Sequence, residues 1–406
     1  MSGPLAGIRI VDMTTVLMGP YATQILGDLG ANVVKVEPPG GDNVRGIGPK
    51  RHEGMGGLFM HANRGKRSIM LDLKQDAGRE ALLRLAVNAD VLIYNVRPQA
   101  MARLGLSYEA VAQVNPRIVY VGVYGYGQRG PYAAKPAYDD LIQGAVGIPT
   151  LAQLAGAEVP RYAPNAMVDR IVGMAAANAV TAALLYREHT GEGQCVEVPM
   201  FETMAQFVLG DHMGGRSFDP PLGPTGYARL LNEYRKPYPT KDGYLCVLIY
   251  NDKQWKAFFH LIGQPEVIEQ DPRFKSIEQR TQHIRDLYKM VAEILLTRTS
   301  AEWTSLLEAA DIPVMPLHTM DSLIDDPHLN AVGFFKWVEH PSEGRICSMA
   351  APTSWSKSQQ RIERFAPRLG QHSAELLREA GYDDDTINAL AAQGVTLIEQ
   401  SGITQT

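Results

Sequence analysis

Short apolar runs alternate with longer amphipathic or Ala-rich segments over the first 200 residues of the chain. The apolar runs are typical of buried strands, and they lie at residues 8–13, 32–37, 68–73, 91–96, 118–123 and 195–198. The intervening segments include predicted helices at residues 20–29, 77–89 and 171–189. Because strands separated by helices pair in parallel through crossover connections, this alternation predicts a doubly wound, Rossmann-like α/β domain.

The pattern changes after residue 215. Residues 217–239 carry five prolines and two glycines, which indicates an irregular connection. A mostly helical stretch follows from about residue 245, and strand-like runs return near residue 334. We therefore predict a large domain built from residues 1–215 and 330–406, a smaller, mostly helical α/β domain at residues 225–328, and linkers at residues 216–224 and 329.

Asp169 stands just before the Ala-rich segment at residues 171–189. That segment is apolar on nearly all sides, which predicts a buried helix, ended by Gly191. One interpretation of Asp169 is structural, because Asp is among the best N-cap residues. The other is chemical, since a helix N-terminus favours an ionised carboxylate and a carboxylate needs no base to act as a nucleophile. The pattern alone leaves both interpretations open.

Composition narrows the possible partners and compartments. The chain of 406 residues is 45% hydrophobic and 20% charged, with a formal net charge of -5. No long basic run stands out, so we expect no nucleic-acid partner. No stretch reaches about 18 uninterrupted apolar residues, so we expect no membrane span. Three widely spaced cysteines, Cys195, Cys246 and Cys347, form no metal-ligand pattern and suit a reducing compartment, which predicts a cytoplasmic protein.

Loops after the predicted strands carry side chains suited to a phosphorylated ligand. In a doubly wound sheet, ligands bind beyond the carboxyl ends of the strands. Lys74, Arg103 and Lys135 fall in or near these loops, and Lys and Arg are the usual partners of phosphate groups. Each of them alone is most often a solvated surface charge, whereas together they could hold phosphates. Asn95, at the end of a strand, is equally well explained as a turn residue.

Gly125, Gly127 and Gly130 form a GxGxxG pattern after a predicted strand. A dinucleotide-binding fingerprint needs a helix that opens directly on these glycines. Here Pro131 and Pro136 interrupt the following segment, so the pattern favours a Gly-rich turn. The chain also lacks the HExxH and GxSxG patterns, which weighs against a zinc protease and an α/β-hydrolase.

An ordered series of segments along nearly the whole chain resembles the class III CoA-transferase family, also called the CaiB/BaiF family. Its marks are PLAGIRIVDMT, GPYATQILGDLGANVVKVEPPGGD, KRSIMLDLK, YNVRPQAMARLGL, NPRIVYVGVYGYGQRGPY, AYDDLIQGAVG, MVDRIVG, TGEGQCVEVPMFE and DGYLCVLIYNDKQW. No single segment is specific, but the series in this order is.

The resemblance implies an enzyme that moves CoA from an acyl-CoA donor to a carboxylic acid, often a dicarboxylate, through a covalent intermediate on the aspartate matching Asp169. It implies an interlocked homodimer, in which two chains thread through each other, and a reaction that requires no metal or redox cofactor. It also implies that CoA runs along matching segments at Val16, Leu71, Leu73, Lys74, Asn95, Val96, Arg103, Leu104, Lys135, Tyr138 and Met200.

Two other functions stay open, and the chain departs from its relatives in places. The α-methylacyl-CoA racemases and epimerases of this family carry a histidine where this chain has Tyr138 before Asp139, so the racemase base is missing. A non-catalytic CoA-ester binding protein would keep the fold alone. Pro38 and Pro39 stand where some relatives have a basic residue, and residues 229–243 lack their glycine run, so we expect a different acceptor pocket and a different shield for the intermediate.

Overall fold

The computed structural model describes residues 3–359 and 364–398 of the chain. The chain forms two compact units. The first comprises Met1–Val146, Pro164–Gln206 and Ala331–Thr406, and the second comprises Gly147–Ala163 and Phe207–Asn330. Residues 147–163 and 207–215 therefore group with the second unit, whereas the sequence pattern places them in the large domain. Gly156 shows one reason, because an added Cβ there would lie 2.7 Å from the Cβ of Glu233.

The helices follow the predicted order, with bounds that the structure refines. They are α1 Met18–Asp28, α2 Gly57–Asn63, α3 Asp76–Val87, α4 Pro98–Arg103, α5 Tyr108–Val114, α6 Asp139–Ala145, α7 Ile148–Leu154, α8 Met167–Thr190, α9 Met200–His212, α10 Asp252–Leu261, α11 Val267–Gln270, α12 Ile277–Gln282, α13 Ile284–Leu295, α14 Ser300–Ala309, α15 Met320–Ile324, α16 Pro327–Ala331, α17 Ser373–Glu379 and α18 Asp384–Ala392. Short 3₁₀ turns lie at Asn43–Gly46, Gly214–Ser217 and Pro272–Phe274.

The strands belong to three sheets. They are β1 Arg9–Met13, β2 Asn32–Glu37, β3 Lys66–Met70, β4 Val91–Tyr94, β5 Val119–Tyr124, β6 Gln194–Pro199, β7 Tyr238–Pro239, β8 Tyr244–Val247, β9 Val314–Pro316, β10 Phe335–His340 and β11 Gly344–Met349.

The first unit is built on a six-stranded sheet of order β3-β2-β1-β4-β5-β6. Every neighbouring pair in it is parallel, which confirms the predicted parallel α/β sheet. Strands β3, β4 and β5 are buried along their whole length, because helices cover both faces. The strand order reverses between β1 and β4, the place where doubly wound sheets open a ligand crevice.

Helix α8 packs on α1 through a close contact at Gly173. An added Cβ at this position would lie 2.7 Å from the carbonyl oxygen of Met18, so only glycine lets the two helices approach this closely. The prediction that α8 is buried all round is wrong, because Met174, Leu185 and Tyr186 are exposed on its outer face. By length and composition alone α8 could also cross a membrane, with a mean hydropathy of 1.4, so the expected lack of a membrane span stays a prediction.

The second unit is mostly helical, as predicted. Its antiparallel strands β7, β8 and β9 form one small sheet, and its core is aromatic, with Trp255, Phe258, Phe259 and Trp303 buried together. Residues 218–237 lie outside helices and strands, which confirms the irregular connection that the prolines indicated.

The C-terminal part of the chain returns to the first unit. Strands β10 and β11 form an antiparallel hairpin. Arg67 of β3 then pairs with Glu375 and Glu379 of α17, and the Thr396 hydroxyl donates to the carbonyl oxygen of Met70. These contacts attach residues 367–396 to the outer edge of the parallel sheet.

Candidate active site

The loop after β1 lies at the strand-order reversal, and neighbouring strand ends hold it. The amide of Thr15 donates to Asn95 Oδ1 at 3.0 Å, and Asn95 Nδ2 donates to the Thr15 carbonyl at 2.8 Å. The amide of Val16 donates to Asp42 Oδ1 at 3.0 Å. Asn95 follows β4 and Asp42 follows β2, so three strand ends are joined at one point of the carboxyl edge.

Two buried ion pairs lie next to this loop. Lys35 Nζ lies 2.8 Å from Asp42 Oδ2, and Lys66 Nζ lies 3.0 Å from Asp12 Oδ2, with all four side chains out of solvent. Desolvation lowers the pKa of Lys66 to about 8, against the opposing pull of Asp12. Desolvation would raise the pKa of the Asp12 carboxyl, but Lys66 and Lys35 together hold it below its ordinary value.

Asp169 is the third residue of α8, in its first turn. Ala166 is the N-cap residue and no side chain caps it, so the interpretation of Asp169 as the N-cap is wrong. The helix begins four residues earlier than predicted, and a distant carboxylate serves its end, because the Asp169 amide donates to Asp139 Oδ2 at 2.9 Å. Gln143 Nε2 donates to the other oxygen of Asp139 at 2.6 Å, which fixes that carboxylate.

The carboxyl group of Asp169 is partly buried and has a raised pKa. Desolvation is the main cause, the negative charge of Asp139 adds to it, and Arg170 opposes it; together they raise the pKa from 3.8 to about 6. Asp169 is therefore ionised at neutral pH, yet it is poorly solvated. Such a carboxylate is more nucleophilic than a surface one.

The two ends of α8 show that Asp169 lies at the carboxyl edge of the sheet. Near the C-terminus of α8, Arg187 pairs with Asp90 at 2.7 Å, and Asp90 precedes β4 at the amino edge. Near the N-terminus, Gly173 lies against Met18, which opens α1 just after β1. Helix α8 thus runs from the carboxyl edge back to the amino edge.

The structure places the residues predicted to contact CoA at the same edge. Leu71, Leu73 and Lys74 follow β3, and Val16 follows β1. Asn95 and Val96 follow β4, and Arg103 and Leu104 lie at the end of α4, the next helix. Lys135 and Tyr138 follow β5, and Met200 follows β6. The set thus spans the whole edge, about 24 Å at the usual strand spacing.

These residues differ in how they can meet a ligand. Lys74, Arg103 and Lys135 are exposed, and none of them forms an ion pair with a carboxylate of the described ranges. Lys135 Nζ instead lies 3.8 Å from the ring centroid of Tyr132. Tyr138 is 67% exposed, but Leu71 and Met200 are buried, so only their backbone can reach a ligand.

The Gly-rich segment after β5 is a turn. No helix opens on Gly125 or Gly127, since the next helix begins at Asp139, which confirms the turn interpretation. The Gly127 amide donates to Glu202 at the start of α9 at 2.9 Å. Within residues 3–359 and 364–398, no group of three or more His, Cys, Asp or Glu side chains is arranged to hold a metal ion.

A cavity of about 750 Å³ lies beside α1 and α8 in the first unit. Arg170, Tyr21, Met174 and Trp355 are among its walls, and Arg170 stacks on Tyr21 at 4.3 Å. Asp169 and the residues of the predicted CoA set are not among its walls, but Asn165 and Arg170, on either side of Asp169 in the chain, are.

Known proteins resemble the chain over nearly its whole length. The sequence model of CoA-transferase family III matches residues 5–373. The chain belongs to CoA-transferase family III. It is 32% identical to the succinate–glutarate CoA-transferase of Agrobacterium fabrum over 392 residues, which cover 93% of this chain and 95% of that protein. It is 33% identical to the acetyl-CoA:oxalate CoA-transferase of Acetobacter aceti over 387 residues, which cover 93% of this chain and 96% of that protein.

A solved structure of a CaiB/BaiF family protein from Brucella suis superposes on this CoA-transferase family III chain with a TM-score of 0.78. The two are 29% identical, and the match covers 94% of this chain and 100% of that one. These likenesses confirm the family, the parallel α/β fold and the enzyme class that the motifs indicated.

Sequence reasoning missed three residues that shape the site, Asp139, Asp42 and Lys35. Asp139 had a weak signal, because paired aspartates mark a helix start. Asp42 ends a Gly-Gly-Asp turn, but the Val16 amide that it binds lies in another loop. Lys35 alternates with valines in β2, and nothing local shows that its ammonium group is buried.

Proposed function

We propose that the protein transfers CoA from an acyl-CoA thioester to a dicarboxylic acid through a covalent intermediate on Asp169. The observation that carries this proposal is the state of that carboxylate. It lies at the carboxyl edge of the sheet, caps no helix, and is partly desolvated beside Asp139. A carboxylate held at a functional edge with a perturbed pKa is a candidate nucleophile.

The reaction proceeds by two exchanges at carbonyl carbons. Asp169 Oδ attacks the donor thioester, the C–S bond breaks, and a mixed anhydride and CoA thiolate form. The thiolate attacks the aspartyl carbonyl, the anhydride C–O bond breaks, and the donor acid leaves behind an aspartyl-CoA thioester. The acceptor carboxylate then reverses both steps, so no proton, metal or redox cofactor enters the balance.

The relatives support a diacid acceptor. The succinate–glutarate and the acetyl-CoA:oxalate enzymes are both named for diacids. Holding CoA along the whole strand edge aligns its thioester with Asp169, because binding energy from the remote nucleotide end offsets the entropy of orientation.

Trapping of the intermediate tests the chemistry. The protein is incubated with succinyl-CoA, treated with hydroxylamine, digested and analysed by mass spectrometry. We expect a hydroxamate on Asp169 in the wild type and none in Asp169→Asn. A wild type that exchanges CoA between acids without any modified Asp169 would refute the covalent role. Exchange of the α-proton with deuterated water, without an acceptor acid, would instead identify a racemase.

Exposed cations on the edge test the CoA path. Lys74→Ala, Arg103→Ala and Lys135→Ala should each raise KM for the CoA ester more than they lower kcat, since each removes binding shared by ground and transition states. Lys50→Ala, which removes an exposed cation paired with Glu53, is the control. Equal KM values in all four variants and the wild type would remove these residues from the site.

For assembly and location we propose an interlocked homodimer in the cytoplasm. The family resemblance supports the dimer, and the three free cysteines fit a reducing compartment. Because threading couples folding to association, the dimer should not separate on dilution without unfolding. Light scattering that finds a folded monomer at nanomolar concentration would exclude it.

A further inference from the structure

The loop after β1 contains a strained residue. Val16 has a φ of 70°, in the left-handed region that β-branched residues avoid. Such a conformation persists only where the surroundings over-determine it, and it is often found at functional sites. Here the surroundings are polar side chains from neighbouring strand ends and an apolar cluster that includes Val44 and Phe59.

A single carboxylate ties the Val16 amide to the loop after β2. Asp42 Oδ1 accepts the amides of Val16, at 3.0 Å, and of Val44, at 3.2 Å. Asp42 Oδ2 accepts from Lys35 Nζ at 2.8 Å. Lys35 Nζ also donates to the Thr14 carbonyl at 2.8 Å, so the same ion pair holds both ends of the loop.

The pair is fully enclosed, which makes it rigid. Asp42 is 2% exposed and Lys35 is 0% exposed. Burial alone would lower the pKa of Lys35, but Asp12, Asp42 and Glu37 together raise it above its ordinary value, so the ammonium group stays charged. A charged donor holds an acceptor more strongly than a neutral one does.

We propose that Asp42, held by Lys35, is a positioning residue that keeps Val16 in the left-handed conformation and so shapes the CoA-binding edge. This inference rests on the proposed function, which places CoA along Val16. Asp42 itself touches no substrate; it acts through the loop. With the pair intact, the Val16 loop is preorganised and CoA binding needs no rearrangement there.

Asp42→Asn tests the proposal. An amide cannot pair with the Lys35 ammonium as a carboxylate does, so the loop should relax toward negative φ at Val16. We expect Kd for CoA, measured by calorimetry, to rise about tenfold and KM for the CoA ester to rise more than kcat falls. In the double variant Asp42→Asn/Val16→Gly, most of this loss should be recovered, because glycine adopts positive φ without strain.

Asp90→Asn is the matched control. Asp90 likewise accepts a backbone amide, that of Arg9 at 2.7 Å, and pairs with Arg187 at 2.7 Å, but it lies at the opposite edge of the sheet. It should lower thermal stability and leave Kd for CoA unchanged. If Asp42→Asn does not fold, Val16→Pro replaces it, because proline holds φ near about -65° and leaves the ion pair intact.

The outcomes separate the two proposals. A wild type that binds no CoA refutes the proposed function itself. A wild type that binds CoA, with Asp42→Asn or Val16→Pro binding it equally well, overturns the positioning role of Asp42. Failure of Val16→Gly to restore binding in the Asp42→Asn background also overturns it, since loss of the charge alone would then explain the defect.

Discussion

Asp169→Asn should make the protein more stable while it removes catalysis. The pKa of Asp169 rises from an ordinary value of 3.8 to about 6 in the folded protein, mainly through desolvation. At about 1.4 kcal/mol for each pKa unit, ionised Asp169 lowers the free energy of unfolding by about 3 kcal/mol above pH 6. The lost attraction of its charge to the N-terminus of α8 is worth about 0.3–1 kcal/mol and opposes this gain. We therefore expect a net stabilisation of about 2 kcal/mol at pH 8.

The sign of the pH dependence follows from the same pKa. The folded protein binds the Asp169 proton more tightly than the unfolded chain does, so the stability of the wild type falls as the pH rises from 3.8 to about 6 and then levels off. The Asn variant has no such group, so its advantage should appear across that interval and stay constant above it.

Urea denaturation from pH 4 to pH 8, at one protein concentration, measures this difference, and mass spectrometry of CoA exchange measures activity. Asp140→Asn is the control, because this substitution makes the same chemical change at an exposed position on α6. Exchange should collapse by several orders of magnitude in Asp169→Asn alone. An Asn variant that is less stable than the wild type at pH 8, or that keeps a tenth of its exchange, would refute the reasoning.

Two further substitutions test the surroundings of the nucleophile. Asp139→Asn removes a negative charge that lies 2.9 Å from the Asp169 amide and raises the pKa of Asp169. The acid limb of the pH profile of kcat/KM should therefore move to lower pH. An unmoved limb would show that Asp139 does not contribute to the pKa of Asp169. Gly173→Ala places a Cβ 2.7 Å from the Met18 carbonyl oxygen and should lower the free energy of unfolding by about 1–3 kcal/mol. Gly210→Ala, in open space on α9, is the control and should stabilise the protein slightly. Equal urea midpoints for the two variants would contradict the close contact at Gly173.

The strand pattern was predictable because apolar runs report burial directly. The exception is instructive. The third strand was predicted at residues 68–73 but spans Lys66–Met70, because Lys66 and Arg67 are buried inside ion pairs and read as surface residues in the sequence. A charge that is hidden by a distant partner carries no local signal of its burial.

The start of α8 was misplaced for a related reason. An aspartate before an Ala-rich run has the local pattern of an N-cap, yet the helix continues past it to Met167. The group that serves this helix end is Asp139, thirty positions away in the chain. The local pattern therefore placed Asp169 near this helix end, but it could not show that another carboxylate, Asp139, accepts a hydrogen bond from the first turn.

The buried charges at the carboxyl edge also indicate that this edge has a functional role. Replacing a buried ion pair with well-packed apolar side chains is often neutral or stabilising, so Lys35–Asp42 and Lys66–Asp12 are a poor way to gain stability alone. What such pairs provide is direction: each hydrogen bond admits one narrow geometry, whereas apolar contacts tolerate many. The positions they hold are backbone groups of the loop after β1, including strained Val16, and not the centre of the core. Because these buried ion pairs fix a loop at the strand ends, we infer that the chemistry of the protein depends on the placement of that loop.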